Sequence, residues 1–423
     1  MPRIIADLHV HSGYSRATSK DMNVAVMARW AKKKGIDLLG TGDFTHPLHL
    51  ADLKSSLKPA GNGLYTTPSE PSVFFMLTAE VSSIYSYKGR VRRIHNIIMA
   101  PGIDVAEKIN RALQKRGVNL SSDGRPIMGI PAKDLLKMVL DISGDCLFVP
   151  AHAWTPWFSI FGSKSGFNSI EECFEEYSKH IYAIETGLSS DPEMNWRLPA
   201  LDNITLLSNS DAHSPGKLGR EANVFDCGMD YYEIMDTIRK KDKKRFLYTV
   251  EFFPEEGKYH YDGHRLCDVL FSPSQTKEHA CICPVCKKPL TVGVMNRVDE
   301  LADRPVGFVP ENAVPSRHLA PLIEIIAGTL NAGVNTVKVK REYERMISAN
   351  TEFDILLDIS DAGLYELASE NIADGILKMR KGEIDIIPGY DGVFGRISIL
   401  SGKPAAGDRE KTTAAGQKQG SLF

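Results

Sequence analysis

Ile4-Ile5-Ala6-Asp7-Leu8-His9-Val10-His11 is a short apolar run that closes on two imidazoles one residue apart. Side chains alternate along an extended chain, so His9 and His11 emerge on the same side. The arrangement recurs downstream. Leu38-Leu39-Gly40 leads into Asp43 and His46, Phe74-Phe75-Met76-Leu77 into Glu80, and the run from Val91 to Ile94 into His95. Leu147-Phe148-Val149 leads into His152, Ile181 to Ile184 into Glu185, and Ile204-Thr205-Leu206-Leu207 into Asp211 and His213. Parallel strands around a barrel deliver their C-terminal ends to one face, so residues far apart in sequence can converge there. Imidazole with carboxylate is the ligand set for zinc, manganese or iron. The pattern predicts a multinuclear hydrolytic metal site. Its candidate ligands are His9, His11, Asp43, His46, Glu80, His95, His152, Asp211 and His213.

Helical periodicity fills the spaces between the runs. Residues 23–34 place Val24, Met27, Ala28 and Ala31 on one face. Residues 104–116, 131–140 and 231–240 read likewise. Repeated βα units imply parallel strands with outer helices. The fold class expected is α/β, a distorted barrel or, on pattern alone, an open sheet. Two polar insertions, residues 48–71 and 159–168, interrupt the rhythm and are expected as long loops. Phe253-Pro254-Glu255-Glu256-Gly257 marks a boundary. The expected organisation is a metal-dependent catalytic domain over residues 1–250, a small Cys/His domain over 255–300 and a helical C-terminal domain over 301–400. A disordered tail over 401–423 follows.

A chain of 423 residues is long enough for two or three domains. No run approaches the length of a membrane span, and Met1-Pro2-Arg3 enters a strand at once, so a cytoplasmic protein is expected. The net charge of −2 gives no global hint of nucleic acid, and any DNA surface must be a local patch. Seven cysteines, unevenly placed, do not make a disulfide framework. Cys146, Cys173 and Cys227 read as small core residues.

The other cysteines cluster. His264-Arg265-Leu266-Cys267 and Cys283-Pro284-Val285-Cys286 have the spacing of a tetrahedral structural zinc site, with Cys281 and His260 as competing ligands. A small domain this poor in apolar residues needs such a staple. Lys287, Lys288, Arg297 and Arg304 are candidate DNA contacts nearby, or a solvated surface.

The N-terminal half resembles the PHP (polymerase and histidinol phosphatase) family of metal phosphoesterases. The resemblance rests on Asp7-Leu8-His9-Val10-His11, Thr41-Gly42-Asp43, Glu80 with His95, Pro150-Ala151-His152 and Ser210-Asp211-Ala212-His213, in family order. It covers about residues 1–250 and implies a seven-stranded PHP-type barrel. Over the whole chain the sequence looks closer to the endonuclease Q branch. There the resemblance lies in Gly257-Lys258-Tyr259-His260-Tyr261-Asp262-Gly263-His264-Arg265 and Gly389-Tyr390-Asp391-Gly392-Val393-Phe394-Gly395. That branch adds a zinc domain and a helical C-terminal region, and cuts DNA 5′ to a deaminated base (hypoxanthine, uracil, xanthine) or an abasic site. The chain departs from many PHP enzymes at Ser12-Gly13-Tyr14-Ser15-Arg16 and at Phe44, where they carry further ligands; His46 can stand in for one.

The resemblance implies two divalent metals (Zn²⁺, Mn²⁺ or Mg²⁺) sharing Glu80. His9, His11 and Asp211 would complete one site, and His95 and His152 the other. Asp43, His46 and His213 are the candidates for a third. Asp211 or His213 is expected to orient water or protonate the leaving group. Glu185 is a ligand, a partner of a ligand or a paired core carboxylate. Trp154, Trp157, Phe158, Phe161 and Lys164, directly after His152, are candidates for stacking on an extruded base or for covering the barrel mouth as core. Gln419, Leu422 and Phe423 resemble the anchors of a sliding-clamp peptide. The expected partners are thus damaged DNA and the clamp. The alternatives are a small-molecule phosphatase of the histidinol-phosphate type, sharing the metal site, and a nucleic-acid-binding scaffold.

Overall fold

The computed structural model of the protein describes residues 3–399. Ile4–Asp7 is buried along its whole length, as an apolar run without alternation requires. It pairs in parallel with Leu38–Gly40 and antiparallel with Ala222–Phe225, with Ala6 opposite Leu38 and Ile4 opposite Phe225. Leu38–Gly40 passes the parallel ladder on to the long strand Glu70–Tyr87. The order then turns antiparallel. Lys88 and Gly89, both at positive φ (48° and 75°), form a two-residue turn that returns the chain as Arg90–Ala100. Leu147–Pro150 pairs antiparallel with that strand. The all-parallel arrangement expected from βα alternation is therefore a mixed one, because no helix intervenes at this hairpin.

Alternation sorts the strand side chains into two cores. Ile4, Ala6 and Leu8 face one cluster with Met76, Ile97, Val149, Ala183, Leu207 and Phe225. Ile5, Leu39, Phe75, Ile98 and Phe148 face the other, beneath the helices. Each large side chain so buried contributes about 1.5–3 kcal/mol. The main sheet has 11 strands, and Ala183–Glu185 with Thr205–Leu207 forms a separate parallel pair. Single bonds join that pair to its neighbours. Ala153 N–H donates to the Glu185 carbonyl at 2.9 Å. The side-chain oxygens of Asn209 and Asn223 accept from Leu8 N–H at 2.8 Å and Ser208 N–H at 3.0 Å.

The helices fall where periodicity predicts. Val24–Lys34 is capped by Asn23, which accepts from Val26 N–H at 3.1 Å, and buries Val24, Met27, Ala28 and Ala31. Ile103–Lys115, Ala132–Ile142 and Tyr231–Lys240 match the other three. The 48–71 stretch is not a loop. It folds as the helix Pro47–Ser56 and the strands Lys58–Gly61 and Leu64–Thr67, which extend the sheet edge. Its few apolar residues, Leu50, Leu53, Leu64 and Tyr65, supply the buried side.

Beyond residue 300 the chain is helical at Leu322–Thr329, Val337–Met346, Asp361–Leu367 and Glu370–Lys381. It also returns a strand, Ser316–His318, to the main sheet beside Phe246–Glu251. A buried ion pair, Lys34 Nζ to Glu352 at 2.9 Å, ties this region to the first helix. No helix among the described residues is long and apolar enough to cross a membrane. Gln419, Leu422 and Phe423 lie outside the described residues.

Candidate metal centre

The strand ends place two groups of ligand atoms around one carboxylate. His9, His11, Glu80 and Asp211 form the first group, and Glu80, His95 and His152 the second; within each group the ligand atoms lie within 4.8 Å of one another. His11 Nε2 is 3.1 Å from both Glu80 Oε2 and Asp211 Oδ1, and His9 Nε2 is 3.6 and 3.7 Å from the same two oxygens. On the other side, Glu80 Oε1 is 2.6 Å from His95 Nδ1 and 3.0 Å from His152 Nε2. Glu80 thus offers one oxygen to each group.

The residues pass a simple test for holding cations. His9 Nε2, His11 Nε2 and Asp211 Oδ1 are buried and make no hydrogen bond, although they converge. An unpaired buried polar atom costs about 1–3 kcal/mol, and three aimed at one another fit a divalent ion.

A layer of carboxylates stands behind the imidazoles. His9 Nδ1 meets Glu185 at 2.9 Å, and His11 Nδ1 meets Asp43 at 3.0 Å. Such bonds fix the tautomer and ring orientation of a metal-binding histidine. Asp43 Oδ2 accepts from Ser12 N–H and Ser12 O–H, both at 2.6 Å, and from Ser15 O–H at 2.9 Å. Its oxygens are occupied in holding His11. Glu185 also accepts from His152 N–H at 2.8 Å and Asn209 Nδ2 at 3.0 Å. His46 lies outside both ligand groups, its ring stacked on Tyr14 at 4.6 Å. His213 sits at the rim, its ring 4.5 Å from that of His11 and its Nδ1 2.8 Å from the Asp211 carbonyl.

The electrostatics follow from burial and pairing. Burial alone would raise the Glu80 carboxyl; His95 and Arg125, with the His11 ring close by and a hydrogen bond from His152, hold it well below the ordinary range. Asp211 is buried as well, and the His11 ring 3.1 Å away, with His9 and His213 nearby, holds it well below. Burial pushes His95 down to about 4, against the pull of Glu80. Both carboxylates are therefore ionised.

Sequence reasoning passed over Arg125, whose Nη1 is 2.9 Å from Glu80 Oε2. Its side chain is partly exposed, so a cationic group that reaches solvent stands beside the shared carboxylate. The only signal was its place in the Ser122-Asp123-Gly124-Arg125 loop, a turn like many others. Gly124 is needed there, because a Cβ would come within 2.4 Å of Asp43 Oδ2.

The segment after His152 divides. Trp154 and Phe161 are 1% exposed, and Trp154 Nε1 donates to Asn195 at 2.8 Å. These two are core and present no ring face to a base, which corrects their assignment as substrate contacts. Trp157 and Phe158 are half-buried, with the Arg93 guanidinium over both rings at 5.3 and 5.8 Å. Phe158 lies 4.6 Å from the His95 ring, so this pair borders the metal groups. Lys164 is exposed.

Further along, His264, Cys267, Cys283 and Cys286 bring their ligand atoms within 4.8 Å of one another. Cys281 is exposed and His260 is buried elsewhere against Tyr261; neither joins the group. Burial would raise the Cys283 thiol, but N–H groups of Cys286 and Val285 lower it toward the thiolate that binds metal. Arg297 is turned inward, donating to the Phe161 and Phe167 carbonyls at 3.0 and 3.1 Å, and Arg304 pairs with Asp202.

A mixed α/β sheet whose strand ends gather imidazoles and carboxylates around one shared carboxylate defines a metal-dependent hydrolase of the PHP class. The MJ0043 C-terminal domain model matches residues 321–383. The uncharacterized protein MJ0043 of Methanocaldococcus jannaschii is 33% identical over 275 residues, 62% of this chain; the chain spans only 34% of that relative's length. The uncharacterized protein YqxK of Bacillus subtilis is 28% identical over 94% of this chain and 100% of its own. The lesion-specific endonuclease PfuEndoQ from Pyrococcus furiosus superimposes with a TM-score of 0.84 and 31% identity, over 95% of this chain and 98% of that one. An endonuclease Q in complex with a 27-mer duplex, an abasic lesion at its active site, gives 0.82 and 31% over 95% and 99%. The chain belongs to the endonuclease Q family.

Proposed function

We propose that the protein is a DNA repair endonuclease, hydrolysing the phosphodiester on the 5′ side of a deaminated base or an abasic site. The observation that carries this reading is the whole-length likeness to a lesion-specific endonuclease, at 31% identity over 95% of the chain. In this reading the strands form a distorted PHP barrel over residues 1–250, with the cysteine knuckle over 255–300 and a helical domain over 301–400.

Glu80 with His9, His11 and Asp211 would hold one divalent metal, and Glu80 with His95 and His152 a second. A third, if bound, uses His213. The metals supply Lewis acidity and a water of lowered pKa. The chain's own residues do the rest. Glu185 and Asp43 hold His9 and His11 in register. Arg125, beside Glu80, neutralises the phosphate that approaches the shared carboxylate. Asp211 or His213 orients the attacking water, and His213 takes up its proton and passes it to the leaving oxygen. Burial lowers the His213 imidazole, so its ring is neutral near pH 7 and can accept a proton.

Trp157 and Phe158 stack on the extruded nucleotide, with Arg93 and Lys164 supplying charge for the backbone. His264, Cys267, Cys283 and Cys286 hold a structural Zn²⁺. Gln419, Leu422 and Phe423 form a sliding-clamp peptide, and a cytoplasmic location fits a DNA substrate.

The test is cleavage of end-labelled duplex DNA carrying one uracil, hypoxanthine or abasic site, with Mg²⁺ or Mn²⁺ supplied. A nick 5′ to the lesion, lost in Asp211→Ala, is the expected result. Intact lesion DNA with turnover of a small phosphomonoester would overturn the reading in favour of a phosphatase.

A further inference from the structure

One more group of side chains has the geometry of a metal site, and it shares no residue with the groups already described. Asp191, Glu193 and His318 bring their ligand atoms within 4.8 Å of one another. They come from two distant parts of the chain. Asp191 caps the short helix Pro192–Asn195, its Oδ1 accepting from Met194 N–H at 2.8 Å, and Glu193 lies in that helix's first turn. His318 ends the strand Ser316–His318, and its Nε2 is 3.3 Å from Asp191 Oδ2.

A second observation points into the same place. Glu251 is the register partner of His318 in the parallel ladder, so their side chains leave the sheet on the same face. Glu251 is fully buried. One of its oxygens accepts from Thr186 O–H at 3.2 Å; the other, Oε1, has no partner. Beside it stands Glu221, also fully buried, with its Oε2 unpartnered.

Asp191, Glu193, Glu251 and Glu255 all act on His318 or on one another, and Arg220 acts on Glu221. Burial, with Asp191 and Glu193 nearby, pushes the Glu251 carboxyl up to about 8. Burial would lower His318, yet the surrounding carboxylates hold it up to about 9.

We propose that Asp191, Glu193 and His318, with Glu251 beside them, form a divalent cation site separate from the catalytic centre. The cation ties the Asp191-capped helix to the strand that the C-terminal region returns to the main sheet. Carboxylates mixed with one imidazole select Mn²⁺ or Zn²⁺ over Mg²⁺. Glu193 is exposed and opens the site to solvent.

The inference is independent of the DNA substrate. Its test uses the full chain. Crystals soaked in Mn²⁺ alone are expected to show an anomalous scattering peak bounded by Asp191, Glu193 and His318. In solution, Glu193→Gln and His318→Gln are each expected to weaken one bound Mn²⁺ per chain at least tenfold, with the catalytic and cysteine-bound metal unchanged. Glu193 is exposed, so Glu193→Gln keeps the test open should His318→Gln fail to fold. A peak at the catalytic centre with none at Asp191 would overturn the proposal, as would an equal Mn²⁺ count in folded Glu193→Gln.

Discussion

Glu185→Gln tests whether the carboxylate layer behind the imidazoles holds the metal. Glu185 is fully buried, and every group that touches its carboxylate is a donor. His9 Nδ1 lies at 2.9 and 3.0 Å, His152 N–H at 2.8 Å and Asn209 Nδ2 at 3.0 Å. Glutamine keeps the volume but turns one acceptor into an NH₂ that must face one of these donors. A charge-assisted hydrogen bond of this kind is worth about 1.5–3 kcal/mol. Losing such a partner of a metal-binding histidine typically costs 10–100-fold in metal affinity, or roughly 1.4–2.7 kcal/mol. The two figures agree. The assay is nicking of lesion-bearing duplex after chelator dialysis, as a function of added Mn²⁺. The half-saturating Mn²⁺ should rise by about 10–100-fold, and saturating Mn²⁺ should restore most of the rate. An unchanged half-saturation would refute the role of Glu185 in holding His9. A rate that no Mn²⁺ concentration restores would place Glu185 in the chemistry itself.

Three further outcomes are expected. Cys283→Ser should release the metal of the cysteine group and lower the melting temperature, read by metal analysis and calorimetry, because a cluster of three apolar residues cannot hold that segment alone. Trp157→Ala and Phe158→Ala should each weaken lesion-duplex binding by about 1–3 kcal/mol with little change in melting temperature; Trp154→Ala, a core deletion, should cost about 3–5 kcal/mol of stability instead. His260 gives a pH dependence. Burial pushes its imidazole down to about 4, so the unfolded chain takes up the proton first as pH falls below about 6.5. Stability should therefore drop between pH 6.5 and 4, by on the order of 2–3 kcal/mol, in urea unfolding of the wild type. His260→Gln should flatten that slope, and an equal slope in the variant would assign the loss to other groups.

Much of the metal centre was legible because the strands that carry it announce themselves. Ile4-Ile5-Ala6 and Leu147-Phe148-Val149 are apolar on both faces, and a polar residue directly after such a run has few places to go but the strand end. Two residues apart on an extended chain, His9 and His11 had to share a side. The antiparallel hairpin at Lys88-Gly89 was less visible, because neither residue forbids a loop to a helix; only the paired lengths of Glu70–Tyr87 and Arg90–Ala100 settle it. The insertion at 48–71 misled for a similar reason. Its strand Lys58–Gly61 is wholly exposed and so carries no apolar alternation.

The division of labour among the carboxylates could not be read in the same way, and the reason is geometric. Asp43 and Asp211 both follow apolar strands by a few residues, and both stand at positive φ, 47° in each case. In the strand pattern alone they are equivalent, and only the family resemblance set Asp211 apart. What separates them is which neighbours reach them. Ser12 and Ser15 close over Asp43 and occupy it, whereas Asp211 Oδ1 is left without a hydrogen bond and 3.1 Å from His11 Nε2. His152 is also held at positive φ, 30°. Left-handed backbone at non-glycine residues costs about 1–3 kcal/mol each and persists only where the surroundings over-determine it. Here Glu185 binds both the His152 N–H and the His9 ring. One buried carboxylate thus sets a strained backbone in one ligand group and a ring orientation in the other, which couples the two ligand groups through Glu185 as well as through Glu80.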